Sequence, residues 1–191
     1  RIAYIYDMLD PSGQNAPDNP YGIGTIFDEA DINQSLTNGT VLSTDRFGHG
    51  TTTASIAAGN GTAIPSLKYR GVAYEAKLII VKAIVDGFPA FNGNPAQTGF
   101  FDPNYLVTAL DFVSDKVAEL NKPSVTVMNL GSLGGPADGT STICRAMDDF
   151  VGDGKLLVLG VGDDGGADNV FQGTLSMGGN ATLEVVKAEA G

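Results

Sequence analysis

Most conspicuous in the 191-residue sequence is how little it has of several chemically useful residues. Cys144 is its single cysteine, so no disulfide can form within the chain. Cysteine usage therefore fits a cytosolic or an extracellular bacterial protein equally. Apolar runs are short: Lys77-Leu78-Ile79-Ile80-Val81 has the length of a strand, far below the ~20 residues of a membrane span. Basic residues are scarce, with Lys+Arg 11 against Asp+Glu 22 and a formal net charge of -11. Such a surface repels nucleic acid and anionic lipid, which excludes both as partners. It suits cationic peptides or bound calcium without proving either. No signal peptide is visible, because the apolar Ile2–Tyr6 run is short and stops at Asp7. The abrupt first strand and late last one suggest a partial chain.

What is present argues for one folded domain. Hydrophobic residues make up 42% and charged residues only 17%, a globular rather than a disordered composition. The length serves one core. Ile2 to Tyr6 reads as a strand before the turn-rich stretch Asp7 to Pro20. Phe27 to Leu36 reads as a short helix, capped by Asp28 and stopped by Gly39. Gly50 to Gly59 reads as a helix of small side chains, suited to close packing under a sheet. Leu78–Val85, Ser124–Leu130 and Lys155–Val161 read as buried-type strands. Between them, Leu106, Leu110, Val113, Val117 and Leu120 mark one face of a helix after Pro103. A second helix, Thr140 to Val151, turns Ile143, Met147, Phe150 and Val151 inward. This alternation predicts a parallel sheet covered on both faces. Val170–Leu175 and Ala181–Val186, around Gly178-Gly179-Asn180, predict an antiparallel hairpin. The chain thus divides into a core over 1–165 and a hairpin extension over 166–191.

His49 is the single histidine. Glycines on both sides leave its imidazole uncrowded at a helix N-terminus, where a general base can reach a nucleophile. Gly48-His49-Gly50-Thr51-Thr52-Thr53-Ala54-Ser55-Ile56-Ala57-Ala58-Gly59 resembles the subtilase signature G-H-G-T-x-x-A-[GS]-x-[IA]-A-[AG]-G. Gly71-Val72-Ala73-Tyr74-Glu75-Ala76-Lys77-Leu78 is similar to the family's G-V-A-P-x-A-x-L, with Tyr74 where proline is usual. Val127 to Gly135 resembles the strand and loop lining the specificity pocket. Leu157 to Gly165 resembles the strand leading into the A-G-N-x-G oxyanion loop. Ile5-Tyr6-Asp7-Met8 and Tyr21-Gly22 through Leu36 point to the clostridial germination protease subgroup.

This resemblance implies a three-layer α/β subtilisin-like fold with a mostly parallel central sheet flanked by helices. It implies a serine endopeptidase acting on a peptide or protein, with His49 catalytic and Leu130, Gly131, Ser132, Gly134 and Gly135 at the substrate. It also implies action outside the cytoplasm, at the cell envelope or in the spore. The other triad members are not evident. Asp7 ends an apolar run but lacks the following D-[ST]-G turn, and Asp28 reads as a helix cap. The orienting aspartate is expected before Arg1. Gly139-Thr140-Ser141 imitates a nucleophile turn, but it precedes the oxyanion segment, so Ser141 reads as a helix cap and the serine is expected beyond Gly191.

Asp163 stands where subtilases place the oxyanion asparagine. The amide contributes about 3–4 kcal/mol to the transition state, whereas an ionised carboxylate only accepts. A catalytically inactive relative that binds a peptide, a protease or a pseudoprotease partner is therefore the alternative. Asp163, Asp164 and Asp168 read as a solvated acidic loop or as a structural calcium site, and no cofactor is required. Gly160-Val161-Gly162-Asp163-Asp164-Gly165 spells G-x-G-x-x-G, but no helix follows and the aspartates repel phosphate, which excludes a dinucleotide site.

Overall fold

A computed structural model describes residues 1–85, 87, 90, 93, 95–96, 99–100, 102–131, 136, 138–161 and 177–180. Strand β1 (Ile2–Asp7) pairs antiparallel with β2 (Thr25–Phe27) and parallel with β3 (Leu78–Lys82). Strand β4 (Ser124–Met128) pairs parallel with β5 (Lys155–Leu159). The parallel arrangement foreseen from the apolar strands is present in these two pairs. They form two separate small sheets among the described residues, in the orders β2-β1-β3 and β4-β5. The short strand β2 was not foreseen; three residues carry too little alternation to register. The expected hairpin over 170–186 lies outside the described residues, apart from its Gly178-Gly179-Asn180 turn.

Four α-helices accompany these strands among the described residues: α1 (Glu29–Asn38), α2 (His49–Ala58), α3 (Pro103–Leu120) and α4 (Thr142–Phe150). Asp28 caps α1 in a reciprocal capping box with Asp31, and Gly39 ends it in the left-handed region, as its sequence signals required. Ser141 caps α4. Asp102 caps α3, whose Pro103 fills the first helical position where no N–H is needed. Leu106, Leu110, Val113 and Val117 are buried along α3 as the periodicity demanded. Val151 departs from its expected inward place: it is 45% exposed, because the chain has left the helix there for an extended conformation.

The core is an aromatic seam between β1 and α3. Tyr6 and Phe112 are both fully buried, with ring centroids 4.6 Å apart. Tyr4 and Tyr21 add edge-on contacts to Phe112. Phe112 falls beside the spaced leucines and valines of α3 and widens its apolar face. α4 packs on α3, and Phe150, Met128 and Ala83 complete the cluster. The opposite face of the β4–β5 pair is open: Val125, Val127, Leu156 and Val158 are all exposed. Coverage on both faces is therefore absent for β4 and β5 among the described residues, whereas β1 and β3 are buried or half-buried along their length.

The stretch between β1 and β2 is a loop pinned from within. Asn19 is buried, and its amide donates to the carbonyls of Gly13, Ile23 and Gly24. Gly24 has φ +67, and a Cβ there would lie 2.5 Å from the Met8 Cα, so the turn requires glycine. Removal of the Asn19 amide would take a donor from all three carbonyls: Gly13 and Ile23 keep the Ala16 N–H and the Tyr6 hydroxyl, and Gly24 loses its side-chain partner. Asn19→Ala is expected to lower the unfolding free energy by about 2 kcal/mol, read from the midpoint of urea denaturation with an unchanged slope.

Candidate functional site

His49 opens α2, following a glycine in the left-handed region: Gly48 has φ 87. Gly48 has no side chain to cap the helix, and Asp45 does that work. Its carboxylate accepts from the N–H of Gly48 at 2.7 Å, the N–H of Thr51 at 2.8 Å and the Thr51 hydroxyl at 2.7 Å. Partial burial favours the neutral acid, but donation from the Thr51 hydroxyl and N–H, and from the Gly48 and Phe47 amides, outweighs it. These bonds hold the Asp45 carboxyl below the ordinary carboxylate range.

The far end of α2 is tied down by two further sequence features. The N–H groups of Gly71, Val72 and Ala73 donate to the carbonyls of Gly59, Ile56 and Ala57. A Cβ on Gly71 would lie 2.5 Å from the Gly59 nitrogen, which gives the glycine of Gly71-Val72-Ala73 its physical reason. The Arg1 guanidinium donates to the Ala58, Tyr74 and Ala76 carbonyls, placing a cation at the negative end of the helix. Apart from Ala58, α2 is not buried, contrary to the expectation that its small side chains lie under a sheet. Instead these side chains let the 71–73 backbone approach closely.

The imidazole of His49 is exposed and faces the end of β4. Asn129, the residue after β4, places its amide nitrogen 3.3 Å from His49 Nε2 and 3.1 Å from Thr53 Oγ1. His49 and Thr53 are four residues apart and share a helix face, so one amide group meets both. Gly160, just after β5, donates its N–H to the Met128 carbonyl. A Cβ on Gly160 would lie 2.9 Å from the Asn129 amide oxygen. The site thus gathers the first turn of α2 and the carboxyl ends of β4 and β5, where open α/β sheets bind ligands.

Leu130 is half-buried against the core and Gly131 is exposed. Ser132, Gly134, Gly135, Asp163, Asp164 and Asp168 lie outside the described residues. Asp7 is buried and engaged elsewhere: it accepts from the Leu9 N–H, the Ser43 hydroxyl at 2.7 Å and Lys82 Nζ at 3.0 Å. That set of partners makes Asp7 the anchor of the β1–β3 ends. Asp28 and Ser141 are occupied as caps. Among the described residues no group of three His, Cys, Asp or Glu side chains could hold a metal ion, and no helix is long and apolar enough to cross a membrane.

Asp45, Thr53, Asn129 and Gly160 carry no individual role in the sequence reading. Two had a signal: aspartate three residues before the helix-opening Gly48 suits a turn cap, and Thr53 follows His49 at helical spacing. Nothing local marks Asn129 or Gly160, because their contact joins the ends of separate strands.

The family model for subtilases matches residues 20–186. A solved structure of the Clostridium perfringens CspB protease is similar, with a TM-score of 0.60 and 28% sequence identity. The match covers 83% of this chain and 30% of that one, so the chain spans less than a third of its structural neighbour.

Asp45 generates a pH signature. Its folded carboxyl is held low, so its cap is fully present above the unfolded value of about 4 and is lost as pH falls through the folded value. Asp45→Ala is expected to cost about 1 kcal/mol at neutral pH. The gap from wild type should close in strong acid, as read by denaturation at a series of pH values.

Proposed function

The chain belongs to the subtilase family, and from that premise we propose that it forms part of a serine endopeptidase cleaving peptide or protein substrates. The observation that carries this reading is His49 itself. It stands on the first turn of a doubly anchored helix, exposed, with Nε2 directed toward the carboxyl end of a parallel strand. In this role Nε2 takes the proton of a serine hydroxyl as that oxygen attacks the scissile carbonyl, then returns it to the leaving amine. Leu130 to Gly135 flank the substrate. The serine and the orienting aspartate come from parts of the whole protein outside residues 1–191. The edges of β3 and β4, unpaired among the described residues, suit a further parallel strand bearing that aspartate, which would unite the two small sheets into the mostly parallel central sheet of the family. By family, the enzyme works outside the cytoplasm, at the envelope or in the spore.

Asp163 favours a second reading. A carboxylate at the oxyanion position repels the charge that develops on the carbonyl oxygen. A non-catalytic relative would keep the same groove and use it to hold a peptide or a partner protease.

A fluorophosphonate probe on the full-length protein separates the two. Labelling that disappears in His49→Ala is expected for the peptidase; absence of labelling in folded protein would sink it. Given activity, Asp163→Asn should raise kcat by about 100-fold, and an unchanged kcat would remove the oxyanion role from this position.

A further inference from the structure

We propose that Asn129 is a positioning residue that presets the tautomer of His49, a reading that rests on the assignment of His49 as general base. A neutral imidazole carries its proton on one ring nitrogen, and the bond made by the other nitrogen decides which. Asn129 turns its amide nitrogen, a donor, toward Nε2 at 3.3 Å. Nε2 must then offer its lone pair, and the proton resides on Nδ1. That is the tautomer a serine peptidase needs: Nδ1–H donates to the orienting carboxylate while Nε2 stays free of hydrogen and accepts the serine proton.

The arrangement is built from three places in the chain. One amide hydrogen serves Nε2 and the other serves Thr53 Oγ1 at 3.1 Å, so Thr53 fixes the plane of the amide. The amide oxygen then occupies the space that a side chain on residue 160 would fill, since a Cβ there would stand 2.9 Å away. Gly160 is therefore the residue that admits Asn129. The contact is also a weak one: 3.3 Å is at the long end for N–H···N, and both side chains face solvent. A weak donor suits the purpose, because the serine hydroxyl must replace it at Nε2 when substrate binds. Asn129 bonds to His49 and Thr53, so it acts through the histidine.

His49 is the only histidine in the 191 residues, which makes its ring nitrogens directly readable by long-range 1H–15N correlation. Spectra would be taken at alkaline pH, in the range where a pH series shows the ring signals no longer moving. Wild type is expected to show the Nδ1–H form as the major tautomer. In Asn129→Ala the Nε2–H form, which free imidazole side chains prefer in water, should become the major one. Gly160→Ala tests the same point with a smaller lesion. Its added methyl crowds the tip of a movable side chain at 2.9 Å and stands at ordinary contact distance, 3.6 Å or more, from the nearest backbone, so it should displace the amide, keep the fold, and shift the tautomer the same way. A wild-type ring with the proton mainly on Nε2 would overturn the proposal. So would a tautomer ratio unmoved by either substitution in folded protein. None of these readings uses activity, so loss of the peptidase reading and loss of the tautomer proposal remain separate results.

Discussion

The contact between Tyr6 and Phe112 holds the rest of the structure in place. The two sheets share no backbone pairing among the described residues, so hydrogen bonds cannot set their relative position. Helix α3 does this instead. Its aromatic seam grips β1 on one side, and its packing on α4 and Met128 reaches β4 on the other. Both rings are fully buried at 4.6 Å, an arrangement worth roughly 1 kcal/mol beyond the area that it removes from water. The short distance between His49 and Asn129 depends on this seam. His49 is tied to the first sheet through Arg1 and the 71–73 segment, whereas Asn129 extends from the second.

That dependence explains which parts were legible in the sequence. Helices α1, α3 and α4 announced themselves through local chemistry: Asp28 and Gly39 at the ends of α1, Pro103 and the leucine-valine spacing in α3, Ser141 before α4. All strands but β2 were legible as apolar runs: β3, β4 and β5 stop two or three residues short of the expected ends, and β1 runs one residue further, to Asp7. The seam was not, because Phe112 stands off the main spacing and its partner Tyr6 is over a hundred residues away. Burial is lower than the sequence suggests in two places, for the same reason. Small residues in α2 suggested a covered helix, and their use is to admit the 71–73 backbone. Apolar residues in β4 and β5 suggested two covered faces, and only the α3–α4 side is covered among the described residues.

The site shows the same division between local and distant determinants. His49, its flanking glycines and Gly71-Val72-Ala73 form contiguous motifs, and the structure gives Gly48 and Gly71 their physical cause. Asp45 is the cap that Gly48 lacks, and it explains how a helix opened by Gly-His-Gly keeps an ordered first turn. Asp7 carried an ambiguous signal, since an aspartate ending a parallel strand is as well suited to catalysis as to anchoring. Its observed partners are structural: the carboxylate holds Lys82, Ser43 and the Leu9 amide together at the ends of β1 and β3.

The histidine turn that identifies the family therefore does less, and more, than the motif alone suggests. It does less because an imidazole without an orienting carboxylate and a serine performs no acyl transfer. It does more because the helix, its Asp45 cap and the Asn129 amide already define where the imidazole stands and which nitrogen bears the proton. In a triad assembled from distant parts of a chain, the histidine is the member whose protonation must be right before the others arrive. An amide that holds Nε2 lightly is suited to that interval, since it fixes the tautomer and gives way to the hydroxyl that replaces it.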